Sequence, residues 1–414
     1  MEDRVVTGLD AVSTECKKSP FCKSKVLPDG RFRVETPSGA AGCPDSRETW
    51  ILGGVTGSNK IVSLDKILES SRFIDAVAEK CAGKGRDCKI FIKANFASTM
   101  EKEDNENTDT ELVDHVADVL DRDYDGVTIF EMETKMSEFS PVFKPDVLAK
   151  RLEPPFRHDP KNLTPEPRQQ IAWKSGKLEV SKPLVDADVI INMGKIKPIA
   201  EYHASLALKN MYGALPEADR YHQFHWKRSG FDVEDATVIA NHATPPDFVI
   251  LDGIVTRDFD TKTPFHAGTL VAGRDPLFID KLLSIKMGAD QDISPITIRE
   301  AGFRGNFDVR ESMDLVNASV ANTTPGGIKF EPDENVLAKF TDGVDGREWK
   351  FPNDFDEFTA NFVQFGLPSM LNLPDAIIKP LMCIESKYTV MTDGEFAEAC
   401  PGIPRGVFAL NKFI

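Results

Sequence analysis

Cysteine is scarce in this sequence, with seven residues in 414. No two of them form a Cys-x-x-Cys pair, so the ligand spacing of iron–sulfur modules and zinc ribbons is missing and no iron–sulfur cluster is expected. An odd number of cysteines also fits no disulfide framework. We therefore predict that the cysteines are reduced thiols.

Long apolar runs and excess positive charge are also absent. No run is long enough to cross a bilayer, and the acidic segment Met1–Val5 lacks the apolar core of a secretory signal. Acidic residues outnumber basic ones by 66 to 50, a net charge of −16, which argues against a general binder of nucleic acid or anionic membranes. These absences predict a cytoplasmic protein without a membrane span or a nucleic-acid partner, and they leave its oligomeric state open.

Familiar motifs for nucleotide binding and hydrolysis are missing as well. Gly53–Gly57 follows a predicted strand, but it lacks both the Gly-x-Gly-x-x-Gly spacing and the Gly-Lys-Ser/Thr ending of a phosphate loop. We interpret it as a tight turn. The sequence has no Gly-x-Ser-x-Gly nucleophile elbow either.

The sequence does contain a regular alternation of β-branched segments with amphipathic ones from Thr49 onward, which predicts a parallel sheet. The fold class we expect is α/β, with a layered, mostly parallel sheet flanked by helices. The predicted strands are 49–54, 88–96, 126–130, 184–194, 248–251 and 269–272, and the predicted helices are 62–81, 110–122, 203–213 and 276–287.

Composition divides the chain into three regions. Residues 1–47 are rich in Lys, Ser, Pro and Gly, with one short β-like stretch at Arg31–Val34, and predict a loosely ordered arm or a small hairpin. Residues 48–310 form the α/β core domain, and residues 311–414 form a C-terminal extension packed on it. Phenylalanines at helical spacing in residues 353–366 predict a helix on the core rather than a helix that binds a partner or membrane.

Four lysines lie inside apolar stretches: Lys93, Lys195, Lys197 and Lys209. Because a buried ammonium group needs a partner, they predict a cleft that binds an anion. The alternative is that their stems pack while their heads reach water. Three of the lysines follow β-branched runs where a strand would end, and open α/β sheets bind ligands at the carboxyl ends of their strands.

Histidines and an aspartate supply further candidate chemistry. A helix at 203–213 would put His203 and Asn210 on one face. His222 and His225 could bind a divalent metal together with His203 if their loop folds back, although paired loop histidines are more often structural. Asp252 ends an apolar strand, where it could bind a metal, orient a histidine, act as a base, or simply form an Asx-type turn.

Several of these segments also match a known family. In chain order they are Ile92–Asn95, Thr108–Val113, Asp188–Asn192, Leu208–Gly213, His222, Leu251–Gly253 and Asp275–Pro276 with Asp280. Their order and spacing resemble the domain of unknown function 362 family over about residues 50–305, with Leu-Lys-Asn-Met-Tyr-Gly as the most specific element. The resemblance implies a single α/β domain, often found beside ferredoxin-like iron–sulfur modules, and implies no particular reaction. Ala94 stands where the family usually has Pro, and Thr263–Gly268 replaces a glycine-rich stretch.

We interpret the chain as an intracellular enzyme of small-molecule metabolism that binds a phosphate- or carboxylate-bearing anion. The alternative is a non-catalytic ligand-binding or redox-accessory protein that uses the same cleft. The predicted substrate-binding residues are Lys93, Asn95, Lys195, Lys197, Lys209 and Asn210. In the predicted catalytic set, His203 or His222 transfers a proton and Asp252 orients that base or binds a cation. A divalent metal at His222 and His225 is the candidate cofactor.

Overall fold

The computed structural model describes residues 2–19, 22–36, 49–96, 107–132, 157–158, 160–163, 166–174, 176–199, 203–216, 220, 223–224, 229–257, 264–265, 267–286, 292 and 294–309. In these ranges no helix has the length and apolarity needed to cross a bilayer. The predicted C-terminal extension, including the helix at 353–366, lies outside them.

The N-terminal segment is more ordered than its composition predicts. It contains β1 (Glu2–Val6), α1 (Leu9–Cys16), β2 (Lys23–Val26) and β3 (Phe32–Thr36), and the three strands pair antiparallel in the order β1-β3-β2. The prediction of a loosely ordered arm is therefore wrong for these residues. Its apolar residues are few, but Phe32 and Val34 alternate along β3 and are buried against the rest of the protein.

A seven-stranded sheet forms the centre of the fold. Its strands are β4 (Thr49–Leu52), β5 (Lys89–Ala94), β6 (Gly126–Glu131), β7 (Lys161–Asn162), β10 (Val189–Lys195), β13 (Phe248–Gly253) and β16 (Thr269–Gly273). The spatial order is β4-β16-β13-β10-β5-β6-β7, and only the pairings made by β16 are antiparallel in this sheet. The predicted α/β class with a mostly parallel sheet is confirmed.

Shorter strands form three hairpins: β8 (Arg168–Trp173) with β9 (Gly176–Ser181), β11 (Lys197–Ile199) with β12 (His203–Ser205), and β14 (Thr256–Arg257) with β15 (Pro264–Phe265). The remaining helices are α2 (Lys60–Ser70), α3 (Phe73–Lys80), α4 (Thr110–Asp121), α5 (Lys182–Val185), α6 (Ala207–Tyr212), α7 (Val233–Ala243), α8 (Pro276–Lys286) and α9 (Pro295–Arg304).

Two helices differ from the sequence prediction. The single helix expected at 62–81 is broken between α2 and α3, where Arg72 has a φ of 52° and so cannot continue a right-handed helix. The helix expected at 203–213 begins only at Ala207. Asp280 accepts the Ala207 and Leu208 backbone N–H groups at 2.9 and 3.0 Å and thereby sets the start of α6.

The central sheet separates two apolar layers. Ile90, Ile92 and Ala94 pack with α2, α3 and α4 on one face, whereas Phe91 packs with α6 and α7 on the other. Because strand side chains alternate between faces, Lys93 follows Phe91 to the α6 face. By the same rule, Lys195 follows Ile191 and Met193 of β10 to the α4 face.

Disulfides join Cys16 to Cys22 and Cys81 to Cys88, so the prediction that all cysteines are reduced is wrong for these four. The bridged Cα atoms are 4.9 and 5.5 Å apart, within the range that a disulfide spans. Each bridge closes a loop of only a few residues. An odd cysteine total cannot reveal pairs formed by such local turns.

Candidate functional site

Charged and amide side chains meet where the parallel strands end. Lys93, next to last in β5, places its Nζ 2.8 Å from Glu131 Oε2 at the end of β6. The same Glu131 oxygen accepts the Phe96 N–H at 3.1 Å, and its second oxygen accepts the Met132 N–H at 2.9 Å. Three donors thus hold this carboxylate, and the buried ammonium has a carboxylate of the protein as its partner.

A row of amides extends from this ion pair. Asn210 Oδ1 lies 3.4 Å from Lys93 Nζ and accepts the Asn95 Nδ2–H at 3.0 Å. Asn95 Oδ1 in turn accepts a hydrogen bond of 3.1 Å from Lys197 Nζ. Asn192 of β10 fixes the orientation of Asn210, because its Oδ1 accepts the Asn210 Nδ2–H at 2.6 Å. The structure therefore brings together four of the six predicted substrate-binding residues.

Lys195 belongs to a second group on the opposite face of the sheet. It is the register partner of Asp252 across β10 and β13, and its Nζ lies 2.7 Å from Asp252 Oδ2. That oxygen also accepts the Asp109 N–H at 2.9 Å, while Asp252 Oδ1 accepts the Ile254 N–H at 3.0 Å. The hydrogen bond from the Ile254 N–H forms the Asx-type turn. Asp252 therefore stabilises this turn, the residue that precedes α4, and the Lys195 ammonium.

Thr108 connects the two groups through the residues that precede α4. Its Oγ1 donates to the Met193 backbone oxygen at 2.9 Å and accepts the Asn95 N–H at 3.1 Å. Asp109, the next residue, caps α4 by accepting the Glu111 N–H. The predicted lysines thus share one edge of the sheet but do not form a single row.

Lys209 lies apart from both groups. Its Nζ sits 3.7 Å from the centre of the Tyr212 ring, a cation–π distance. The Tyr212 hydroxyl donates to the Arg220 backbone oxygen at 3.0 Å. In the structure Lys209 therefore packs on its own helix, against the ring that lies about one turn further along α6.

The electrostatics single out Lys93 among these cations. Burial lowers the pKa of its ammonium, the Glu131 carboxylate opposes that shift, and the positive charge of Arg220 adds to it. A lysine with a lowered pKa exchanges its proton more readily at neutral pH than an exposed one.

The histidine predictions remain untested. His203 lies on β12 rather than on the predicted helix face with Asn210, while its side chain, His222 and His225 fall outside the described residues. Within the described ranges, no group of three or more His, Cys, Asp or Glu side chains is arranged to hold a metal ion. The metal site of His222 and His225 stays a prediction.

Sequence reasoning assigned no site role to Glu131, Thr108, Asn192 or Arg220, although Thr108 and Asn192 belong to the segments that match the family. Glu131 had a visible signal, because it ends an apolar strand in the same way as Asp252. Asn192 lies within a continuously buried strand, where a polar residue needs a partner. The sequence around Arg220 carried no such signal.

Comparison with known proteins agrees with this architecture. Residues 90–284 match the model of the family described as domain of unknown function (DUF362). This part of the chain is a DUF362 domain. It includes the strand ends that carry Lys93, Glu131, Lys195 and Asp252, and it is narrower than the 50–305 range expected from the motifs.

Two known proteins are similar to parts of this chain. The thylakoid-associated protein sll1697 of Synechocystis is 29% identical over 113 residues, which cover 26% of this chain and 35% of that protein. The match thus spans only about a third of the relative's length. The lactate racemase apoprotein of Thermoanaerobacterium thermosaccharolyticum shares 12% identity, with a TM-score of 0.30 over 61% of this chain and 59% of the other.

Proposed function

We propose that the DUF362 domain binds a small phosphate- or carboxylate-bearing molecule at the carboxyl end of its sheet and acts on it as an enzyme. Lys93, Asn95, Lys197 and Asn210 are the proposed anion-binding residues. Lys195 and Asp252 lie on the α4 face of the sheet, and we propose that they form the border of the same site on that side. Lys209 is proposed to contact the ligand only if it leaves the Tyr212 ring.

The observation that carries this proposal is the hydrogen-bonded row from Lys93 through Asn210 and Asn95 to Lys197. Each of these side chains is less than 9% exposed. Burying polar groups lowers the stability of the fold, whereas apolar residues at the same strand ends would not have this effect. Their position at the ends of parallel strands is the place where open α/β sheets bind ligands. A bound oxyanion would accept hydrogen bonds from the ammonium and amide donors together.

The proposed chemistry is a proton transfer. Lys93 supplies a group whose pKa is lowered by burial, and Glu131 fixes its ammonium in one place. Asp252 is proposed as a positioning residue, since its oxygens already hold Lys195 and two backbone N–H groups. His203 and His222 stay in the proposal as proton carriers, with a divalent metal at His222 and His225.

A thermal-shift experiment tests the binding step. The full-length protein is heated with citrate, succinate, inorganic phosphate or glycerol phosphate, alongside Lys197→Met and the exposed-surface control Lys177→Met. We expect at least one anion to raise the unfolding temperature of the wild type and of Lys177→Met, but not of Lys197→Met. Equal shifts in all three proteins, or none in any, would rule out this anion site.

The non-catalytic alternative draws support from the ion pairs, because Lys93 and Lys195 both have carboxylate partners of the protein and could be structural. Mass spectrometry of the stabilising anion after prolonged incubation separates the two functions. An enzyme changes the anion, and Lys93→Met abolishes that change. A binding protein returns the anion unaltered.

A cytoplasmic location also remains a proposal. Disulfides are rare in cytosolic proteins, so the Cys16–Cys22 and Cys81–Cys88 bridges count against it.

A further inference from the structure

A polar cavity lies at the opposite edge of the sheet from the candidate site, where the parallel strands begin. This pocket of about 240 Å³ is bordered by Ala187 and Asp188 before β10 and by Pro245 and Asp247 before β13. β10 runs seven residues from this edge to Lys195, which at about 3.3 Å per residue separates the pocket from the candidate site by roughly 20 Å. The two are therefore different sites.

The pocket is basic although the chain as a whole is acidic. Its basic lining residues are Lys23, Lys25, Arg33, Lys80 and Lys84, against the acidic residues Glu35, Asp188 and Asp247. Asp247 pairs with Lys80 at 3.1 Å, and Asp188 pairs with Lys84. Five cations thus face three carboxylates in a chain whose net charge is −16.

Two of the three cations from the N-terminal sheet, Lys23 and Arg33, are the least compensated. Among the described residues, no carboxylate lies within ion-pair distance of Lys23 Nζ or of the Arg33 guanidinium, and neither side chain makes a hydrogen bond. Burial lowers the pKa of Lys23, with the attraction of Asp247 opposing it, and burial also lowers the pKa of Lys25. An anion in the pocket would relieve this desolvation.

Hydrogen bonds on the other face of β2 fix the position of the strand that carries Lys23 and Lys25. Ser24, which lies between them on β2 and also lines the pocket, places its Oγ 2.8 Å from His242 Nδ1. His242 Nε2 then lies 2.9 Å from Glu300 Oε1. This Ser–His–Glu contact resembles a hydrolytic triad, but all three side chains are buried. It serves to fix the strand.

Both disulfides lie close in sequence to lysines that line the pocket. Cys22 precedes Lys23 directly, Cys81 follows Lys80 directly, and the loop closed by Cys81 and Cys88 contains Lys84. These bridges restrict the backbone that presents the three lysines. A site whose cations are held apart before binding loses little conformational entropy when an anion enters.

Size and lining indicate the class of ligand. The described lining residues include no aromatic side chain, and the apolar ones are only Leu27, Ala187 and Pro245. A nucleobase would find no stacking partner among them, and the volume is below the usual range for drug-sized ligands. We propose that this pocket binds a compact phosphate-bearing anion, held by Lys23 and Arg33 and by the lysines around them.

Isothermal titration calorimetry of the full-length protein with inorganic pyrophosphate tests the proposal. Lys23→Met removes a buried cation that makes no ion pair or hydrogen bond with the described residues, so the variant should fold and unfold at the same temperature as the wild type or higher. Its pyrophosphate affinity should fall roughly 10- to 100-fold, the loss expected for one charge-assisted hydrogen bond. Glycerol phosphate in the same cell distinguishes a phosphate ester from the free anion.

Two control variants give the result its specificity. Lys177→Met removes an exposed lysine from β9 and should bind pyrophosphate like the wild type. Lys197→Met alters the candidate site, so it should remove only binding at that site and leave the Lys23-dependent binding of pyrophosphate in place. The proposal is overturned if the wild type binds neither phosphate compound, if Lys177→Met weakens binding as much as Lys23→Met, or if Lys197→Met abolishes binding and Lys23→Met does not.

Discussion

Lys93 Nζ lies 2.8 Å from Glu131 Oε2, across the ends of two neighbouring parallel strands in which both side chains are buried. Either charge buried here without the other would destabilise the fold, because moving one ion out of water costs several kcal/mol. The backbone N–H groups of Phe96 and Met132 share the charge of the carboxylate. Glu131 therefore determines where the ammonium can sit.

Glu131→Gln should destabilise the protein by about 3 kcal/mol, because it leaves the Lys93 ammonium buried without a charged partner. Urea unfolding measures the loss. Adding Lys93→Met should recover part of it, since the unpaired charge disappears. The exposed pair of Lys182 and Asp186 is the control, where Asp186→Asn should change stability by less than about 1 kcal/mol. Equal effects at both pairs would show that Lys93 is solvated.

Asp252→Asn should loosen the start of α4. Asp252 Oδ2 accepts hydrogen bonds from both the Asp109 N–H and Lys195 Nζ, while its Oδ1 accepts the Ile254 N–H. An asparagine has one acceptor atom and no charge, so even with its oxygen at the Oδ2 position the hydrogen bond from the Asp109 N–H is weaker. We expect faster hydrogen–deuterium exchange at the Asp109 amide, with exchange in the middle of α7 unchanged. Unaltered protection at Asp109 would show that the aspartate does not anchor this helix.

Local sequence patterns predicted where the strands lie in the chain, but not which strands are adjacent in the sheet. The β-branched runs that end at Lys93 and Lys195 gave both strands, and their ends gave the edge of the sheet where polar residues meet. The side chains nevertheless face opposite layers, because the strand order β13-β10-β5-β6 sets the register, and sequence spacing does not contain that order.

The start of α6 shows the same limit. Residues 203–213 have a helical pattern by composition, yet His203 joins a hairpin because Asp280, distant in sequence, holds the Ala207 and Leu208 N–H groups. Contacts of this range decide where a short helix begins. They also decide whether a histidine lies beside Asn210.

Cysteine labelling should distinguish four cysteines from the rest of the chain. Iodoacetamide added to the urea-unfolded, unreduced protein should leave Cys16, Cys22, Cys81 and Cys88 unmodified, and labelling should appear after a reductant is added. Peptide mass spectrometry reads each site. Each bridge closes a short loop, so reduction should cost about 2 kcal/mol per bridge. Full labelling without reductant would restore the interpretation of free thiols and with it the cytoplasmic location.

Glu300→Gln should destabilise the protein at neutral pH, and most of this destabilisation should disappear in acid. Burial alone would raise the pKa of Glu300, but His242 and Arg304 outweigh burial and bring it to about 2. The folded-state pKa is thus below the unfolded value, so the carboxylate stabilises the fold above about pH 4.5 and loses that effect as the pH falls toward 2. Urea unfolding should show wild type and variant differing by on the order of 3 kcal/mol more at pH 6 than at pH 2. A constant difference would contradict the ion-paired state of Glu300.

Asp280→Asn should show the opposite trend and so serves as the counterpart of Glu300. Burial, with the charges of Asp275 and Glu300, raises the pKa of Asp280 to about 8, although the Leu208 and Ala207 N–H groups oppose the shift. Stability from the protonated carboxyl is full below its unfolded pKa near 4 and is lost as the pH rises through 8. The variant does not titrate, so urea unfolding should show its stability improving relative to the wild type between pH 5 and pH 8.5. If the wild type instead gains on the variant over this range, Asp280 is ionised in the folded protein and caps α6 as a carboxylate.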